Sequence, residues 1–166
     1  MFREVRLPEG TKGRLYLHSM PGRCEPFEEA VAEARRLGIT TVVRLTPLHE
    51  VAANSPQYAW LLRSGRLPWR EEALEVPDHG VPEDREGFLR LVTHVADRLK
   101  RGERVLVHCA AGVGRTGMFA TCVLLALGLD VEQATQRVKQ AGSCPERGQQ
   151  EALVRWAGQR LRARRP

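Results

Sequence analysis

Short β-branched or apolar runs alternate along this chain with longer segments whose apolar residues recur every three or four positions. Arg14–His18 reads as a strand, and Pro26–Leu37 as an amphipathic helix stopped by Gly38. Thr40–Leu45 is a β-branched strand and Pro56–Arg63 a short helical piece. Ala73–Val76 reads as a strand leading into a Pro-Asp loop, followed by a long helix from about Pro82 to Lys100. Glu83, Asp84 and Glu86 fit the N-terminal charges of that helix. Arg104–His108 is the expected central strand, and Arg115–Leu127 a buried helix ended by Gly128. Asp130 caps a helix running to about Gln140, and Gly148–Arg162 forms the last one. Strands and helices in this order predict an α/β fold, with no repeat or low-complexity linker in it.

Composition adds bounds. A chain of 166 residues suits one domain, residues 1–166, with a real core. It shows no long apolar stretch and no signal-peptide pattern, so no membrane partner is expected. The formal net charge of +6 is carried almost wholly by arginine, and such a field favours phosphorylated, acidic substrates. The arginines are dispersed and no aromatic stacking pattern accompanies them, so no nucleic-acid partner is expected either. Arg160, Arg162, Arg164 and Arg165 belong to a basic C-terminal tail and read as solvated charges at a helix end. The four cysteines, Cys24, Cys109, Cys122 and Cys144, are spaced like neither a disulfide framework nor a zinc array.

The chemistry sits in His108-Cys109-Ala110-Ala111-Gly112-Val113-Gly114-Arg115-Thr116-Gly117. A cysteine followed by five residues and an arginine can wrap backbone N–H groups around one tetrahedral oxyanion. Strand before and helix after would aim the helix N-terminus at Cys109, the place where α/β sheets bind anions. Aligned amides and the helix dipole are expected to lower the thiol's pKa from about 8.5 into the ~3.5–7.5 range of activated cysteines. A thiolate attacks phosphorus well, and Arg115 can hold two phosphate oxygens in a bidentate fork. The amides of Ala110, Ala111, Gly112, Val113, Gly114 and Arg115 are the candidate phosphate binders. The Thr116 hydroxyl is placed to hydrogen-bond the sulfur, and His108 to orient the loop without titrating in catalysis.

This stretch resembles the signature of the cysteine-dependent protein tyrosine phosphatase superfamily, His-Cys-x-x-Gly-x-x-Arg-Ser/Thr-Gly, and matches it at every fixed position. The resemblance covers roughly Arg14 to Leu161. Leu15 to Gly22 and Val76-Pro77-Asp78-His79-Gly80-Val81-Pro82 are similar to the compact dual-specificity branch, near the phosphatases that act on cyclin-dependent kinases. The loop Ala-Gly-Val-Gly-Arg-Thr-Gly is closer to the larger tyrosine-specific branch. Val76 stands where that branch has Trp, and its phosphotyrosine-recognition segment has no counterpart here. The resemblance implies a single-domain phosphatase fold with a central, mostly parallel sheet flanked by helices.

It also implies a general acid on a mobile loop upstream, which protonates the leaving oxygen and later activates water. Asp78, 31 positions before Cys109 and bracketed by Pro77 and Pro82, fits that part. Gln149 or Gln150 corresponds to a glutamine that helps place water in relatives, with Gln149 taken as the candidate. Glu50 reads as a solvated loop residue rather than a carboxylate fork for Arg115. Cys122 reads as core packing. Cys24 and Cys144 are the partners open to Cys109 for the reversible disulfide that some relatives form. A nucleophilic thiol suits a reducing compartment, so a cytoplasmic location is expected. The expected activity is metal- and cofactor-independent hydrolysis of phosphotyrosine, with phosphoserine and phosphothreonine open, on a protein or peptide. The alternatives are the same chemistry on a phosphoinositide, inositol phosphate or RNA 5′-triphosphate, or a phosphopeptide-binding pseudophosphatase. Lipid-directed relatives often carry lysines in the loop, where Ala110, Ala111 and Val113 stand here.

Overall fold

In the computed structural model, which describes residues 1–164, side-chain alternation along the strands decides the layers. The strands are β1 (Arg3–Val5), β2 (Arg14–His18), β3 (Thr41–Arg44), β4 (Arg70–Ala73) and β5 (Arg104–His108). They form one sheet in the order β1-β2-β5-β3-β4, parallel throughout except for β1, which runs antiparallel to β2. Leu15, Leu17, Val43, Val105 and Val107 point to one core, while Tyr16, Val42 and Leu106 point to the other. Burial on both faces is what parallel strands require.

The larger core is covered by α4 (Arg85–Lys100), α5 (Gly114–Ala126), α6 (Val131–Gln140) and α7 (Gln149–Ala163). Helix α5 is buried without a break from Arg115 to Leu125, so it has no polar face and sits among its neighbours as core. Phe119 meets Phe88 of α4 edge to face, 5.6 Å between ring centres. On the opposite face lie α1 (Phe27–Leu37), α2 (Leu48–Asn54) and α3 (Pro56–Ser64). There Phe27, Val51, Tyr58 and Ala59 pack with Met20 and Trp69. Among the described residues no helix is long and apolar enough to cross a membrane.

Most elements expected from the pattern are present within a residue or two, including the Asp130 cap, which forms a reciprocal capping box with Gln133. Three differences bear on the site. The strand expected at Ala73–Val76 is β4 at Arg70–Ala73, although Leu74 and Val76 still donate to the Arg44 and Leu45 carbonyls at 3.0 and 2.9 Å. The charges of Arg70, Glu71 and Glu72 hid it; Glu71 pairs with buried Arg44 at 3.1 Å and Glu72 with buried Arg98 at 3.0 Å. Strand β1 and helix α2 carried no sequence expectation at all. Helix α4 begins at Arg85 rather than near Pro82, because Asp84 is its N-cap and accepts from the Gly87 N–H at 2.8 Å. The expected solvated tail is tied down in part: Arg160 pairs with Glu86 at 2.5 and 3.1 Å and lies over Trp156, and Arg164 approaches Glu86 at 3.7 Å. Arg165 lies outside the described residues.

Candidate active site

Cys109 follows the last residue of β5, and the loop after it turns directly into α5. Cys109 is only 2 % exposed, and its sulfur accepts hydrogen bonds from the Gly112 N–H at 3.2 Å and the Thr116 hydroxyl at 3.1 Å. Both donors, and the helix N-terminus beneath them, favour negative charge on sulfur. Two glycines make the turn possible. Gly112 has φ +76, and a Cβ there would lie 2.5 Å from the His18 carbonyl oxygen at the end of β2. Gly117 lets α5 touch the chain beyond α6, since a Cβ would lie 2.5 Å from the Cys144 backbone.

Arg115 is buried and fixed from two directions. Its Nη1 and Nη2 donate to Oε1 and Oε2 of Glu50, each at 2.9 Å, and Nη1 also donates to the Val76 carbonyl at 3.0 Å. Burial opposes the guanidinium charge, but the Glu50 hydrogen bonds and the charges of Cys109, Glu50 and Asp78 outweigh it and raise the pKa. Glu50 is therefore the carboxylate fork and not a solvated loop residue. Its helix, α2, starts after Pro47, and the run Thr46-Pro47-Leu48-His49-Glu50, an extended Pro with a carboxylate in the first turn, was the signal that could have located it.

Asp78 sits in the loop between β4 and α4, with Oδ1 3.3 Å from Nη2 of Arg115 and Oδ2 3.4 Å from Nε2 of His79. Among the described residues His79 is the only non-glycine at positive φ, +61. That conformation swings its ring to Glu146, whose Oε1 is 2.9 Å from Nδ1. The Glu146 hydrogen bond, then the Asp78 and Glu146 charges, raise the His79 pKa above its ordinary 6.5. Gln150 completes the ring of contacts. It accepts from the Glu146 N–H at 2.8 Å and donates to the Gly80 carbonyl at 3.0 Å. Gln149 is exposed at the start of α7, so the structure brings Gln150, and not Gln149, to the loop that carries Asp78.

His108 lies wholly buried behind the loop. Its Nδ1 is 3.1 Å from the Cys109 carbonyl, which can only accept, so this nitrogen carries the proton. Its Nε2 is 3.0 Å from the Tyr58 hydroxyl, which also meets Glu71. Burial lowers the His108 pKa to about 3, so the ring stays neutral while it contacts the Cys109 carbonyl. All four cysteines are free thiols. Burial pushes the Cys122 thiol far up, in keeping with a packing role, while Cys24 is exposed.

A cavity of about 600 Å³ opens beside the site, lined in part by Glu50, Glu75, Asp78, Glu83 and Asp84. The loop itself presents apolar side chains, with Ala111 and Val113 exposed. Thus a guanidinium with a carboxyl 3.3 Å away interacts with a buried sulfur that has its own donors, at the end of a parallel strand. Such an arrangement can bind one tetrahedral dianion, attack it and protonate what leaves.

Residues 11–165 match a family model described as PTP-SAK: Swiss Army Knife protein, DSP-PTPase phosphatase domain. Tyrosine-protein phosphatase non-receptor type 4 of Mus musculus is 54 % identical over 46 residues, 27 % of this chain and 5 % of that protein. The matched stretch is thus a small fraction of that relative's own length. A crystal structure of kinase associated phosphatase, with serine substituted for its catalytic-site cysteine, superposes with TM-score 0.80 at 20 % identity, covering 99 % of this chain and 97 % of that one. PTPMT1 in complex with PI(5)P superposes with TM-score 0.73 at 16 % identity, covering 96 % and 97 %. At these identities the structural likeness is one of fold.

Proposed function

This chain belongs to the PTP-SAK family of DSP-PTPase phosphatase domains, and on that premise we propose that it hydrolyses phosphotyrosine in proteins, with phosphoserine and phosphothreonine open, through a phosphocysteine intermediate. The observation that carries the reading is the Cys109 sulfur, buried yet accepting from the Gly112 N–H and the Thr116 hydroxyl. In the proposed sequence the Cys109 thiolate attacks phosphorus as the P–O bond to the leaving group breaks. The amides from Ala110 to Arg115 and the Arg115 guanidinium hold the equatorial oxygens. Asp78 gives its proton to the leaving oxygen, then takes one from the water that attacks the phosphocysteine and releases orthophosphate. Thr116 supports sulfur as the leaving group of that second step. Glu50 and the Val76 carbonyl hold Arg115 in line, so its fork loses little freedom when a phosphate arrives.

Residues 1–166 act as one phosphatase domain in this reading. The apolar Ala111 and Val113 at the loop rim, and the carboxylates lining the adjoining cavity, suit a single phosphate on a peptide. An inositol polyphosphate or a triphosphate end would meet like charge there.

The test is hydrolysis of para-nitrophenyl phosphate with chelator present, by wild type and by Cys109→Ser, followed by phosphate release from phosphopeptides, phosphoinositides, inositol phosphates and triphosphate RNA. Turnover that survives chelator, disappears in Cys109→Ser and is fastest on phosphotyrosine peptides supports the proposal. Wild-type rates in the serine variant would remove Cys109 from the chemistry, and a preference for inositides or RNA would replace the protein substrate.

A further inference from the structure

Beneath the cysteine loop lies a second guanidinium that belongs to none of the motifs. Arg3, on edge strand β1, reaches across the sheet end and donates through Nη2 to the Gly112 carbonyl at 2.8 Å. Its Nη1 donates to the Ala141 carbonyl at 2.7 Å and to the Ser143 hydroxyl oxygen at 2.9 Å. The Ser143 hydroxyl in turn donates to the same Gly112 carbonyl at 2.6 Å. One loop carbonyl thus receives two donors from segments 109 and 31 residues away. Arg3 also lies outside residues 11–165, the stretch that matches the family model.

The placement has a consequence for the cradle. All described peptide bonds are trans, so the Gly112 C=O and the Val113 N–H point in opposite directions across one plane. Pinning the carbonyl toward Arg3 and Ser143 turns the Val113 N–H away from them. The N–H on the other side of Gly112 meanwhile donates to the Cys109 sulfur. A loop peptide held at its carbonyl cannot flip, and amides fixed before phosphate arrives need no reorganisation when charge develops. The guanidinium adds fixed positive charge as well. Burial lowers the Arg3 pKa while the Cys109 charge raises it, so sulfur and guanidinium attract each other.

We propose that Arg3, acting with Ser143 through the Gly112 carbonyl, is a positioning residue that sets the conformation of the phosphate loop and favours the thiolate of Cys109. Neither side chain needs to touch substrate. The charged and titratable groups around the sulfur are then Arg115, with the carboxylates of Glu50 and Asp78 paired to it, and Arg3, with His108 neutral behind. The proposal rests on the phosphatase reading for its catalytic consequence, but not for its effect on the thiol.

The experiment compares wild type with Arg3→Met, Arg3→Lys and Ser143→Ala by the rate of Cys109 alkylation with iodoacetamide as a function of pH. Cys24→Ser/Cys144→Ser serves as a common background so that the accessible competing thiols are gone. The alkylation midpoint is expected to move up by about one pH unit in Arg3→Met, on the scale of one charge-assisted hydrogen bond, and by less in the other two. With para-nitrophenyl phosphate, kcat/KM is expected to fall about tenfold in Arg3→Met, and orthophosphate inhibition to weaken with it. Arg3→Lys keeps the charge without the fork and is expected to restore the midpoint more than the orthophosphate affinity. Should Arg3→Met fail to fold, Arg3→Lys and Ser143→Ala carry the test. Wild-type midpoints in folded variants with only the melting temperature lowered would overturn the proposal and leave Arg3 a structural tie. Shifted midpoints in a wild-type protein that hydrolyses no phosphate ester would uphold the effect on the thiol while overturning the phosphatase reading.

Discussion

Glu50 and Arg115 face each other fork to fork, with two hydrogen bonds of 2.9 Å joining helix α2 to the start of α5. Arg115 can then meet a phosphate only through the N–H groups that Glu50 and Val76 leave over, so its orientation depends on a residue 65 positions away. Glu50→Ala is expected to lower kcat/KM on para-nitrophenyl phosphate by roughly 10–100-fold, the scale for a misplaced clamp. Glu50→Gln, which keeps one acceptor, should retain more. Equal activity in both variants and wild type would show that Arg115 needs no anchor.

Asp78 has Oδ1 3.3 Å from Arg115 Nη2, close enough to reach an ester bound there. Removing a general acid costs about 10²–10⁴-fold when the leaving group needs a proton. Asp78→Asn is therefore expected to slow phosphotyrosine and phosphoserine peptides by that order. Para-nitrophenyl phosphate, whose phenolate leaves unassisted, should lose much less. An equal loss on all three substrates would take the acid's part away from Asp78.

Thr116 donates to the sulfur at 3.1 Å, and this bond should matter most when sulfur must leave phosphorus. Thr116→Val is expected to keep the first step and slow the second roughly 10–150-fold, in line with a hydrogen bond to a charged group of about 1.5–3 kcal/mol. Rapid-quench kinetics would then show a burst of para-nitrophenol and an accumulating phosphoenzyme. A uniform slowing without a burst would place the hydroxyl's effect on the attack instead.

Two histidines of the site should titrate on opposite sides of the ordinary value. His108, lowered to about 3 by burial, should show no shift in its ring proton resonances between pH 5 and 8. Its depressed pKa means that the unfolded chain binds the proton first, so its contribution to stability is lost as pH falls from about 6.5 toward 3. His79 is raised by Glu146 and Asp78, so its contact holds fully below about 6.5 and is lost as pH climbs through the raised value. The NMR midpoint of His79 should lie above that of an exposed histidine and fall back in Glu146→Gln. A midpoint unmoved by that substitution would mean that the pair does not persist in solution.

Gly117 leaves no room for a methyl group beside the Cys144 backbone. Gly117→Ala is therefore expected to lose about 1–3 kcal/mol by urea denaturation, despite alanine's better helix propensity. A stabilised variant would show that α5 can draw back from the chain behind it.

Cys109, Arg115, Thr116, His108 and Asp78 were legible because each belongs to a short pattern whose chemistry requires those residue types at those spacings. The sheet was legible for a related reason: β2, β3 and β5 carry apolar residues toward both faces, as strands buried on both sides must. The supports were not. Glu50 stands on a seven-residue helix with one buried residue, Val51, and Arg3 on a three-residue strand of mixed charge. Neither element is long enough to show a period. Charges paired inside the fold hid β4 in the same way, since the strand expected at Ala73–Val76 left out Glu71 and Glu72, whose partners Arg44 and Arg98 lie far along the chain. Gln150 and Gln149 are adjacent in sequence, and only the turn into α7 decides which one faces inward.

The connector between α6 and α7 touches both halves of the site: Ser143 and the Cys144 N–H hold the cysteine loop, while Glu146 and the neighbouring Gln150 hold the Asp78 loop. For protein engineering this divides the surface into closed and open ground. A reporter spliced between Gly142 and Gln149 would pull on both loops at once, and even one added residue there changes the register of the supports. The turn at Gly65, where nothing approaches an added Cβ within 4 Å, is the place to graft a tag, a fluorophore or a recruitment domain.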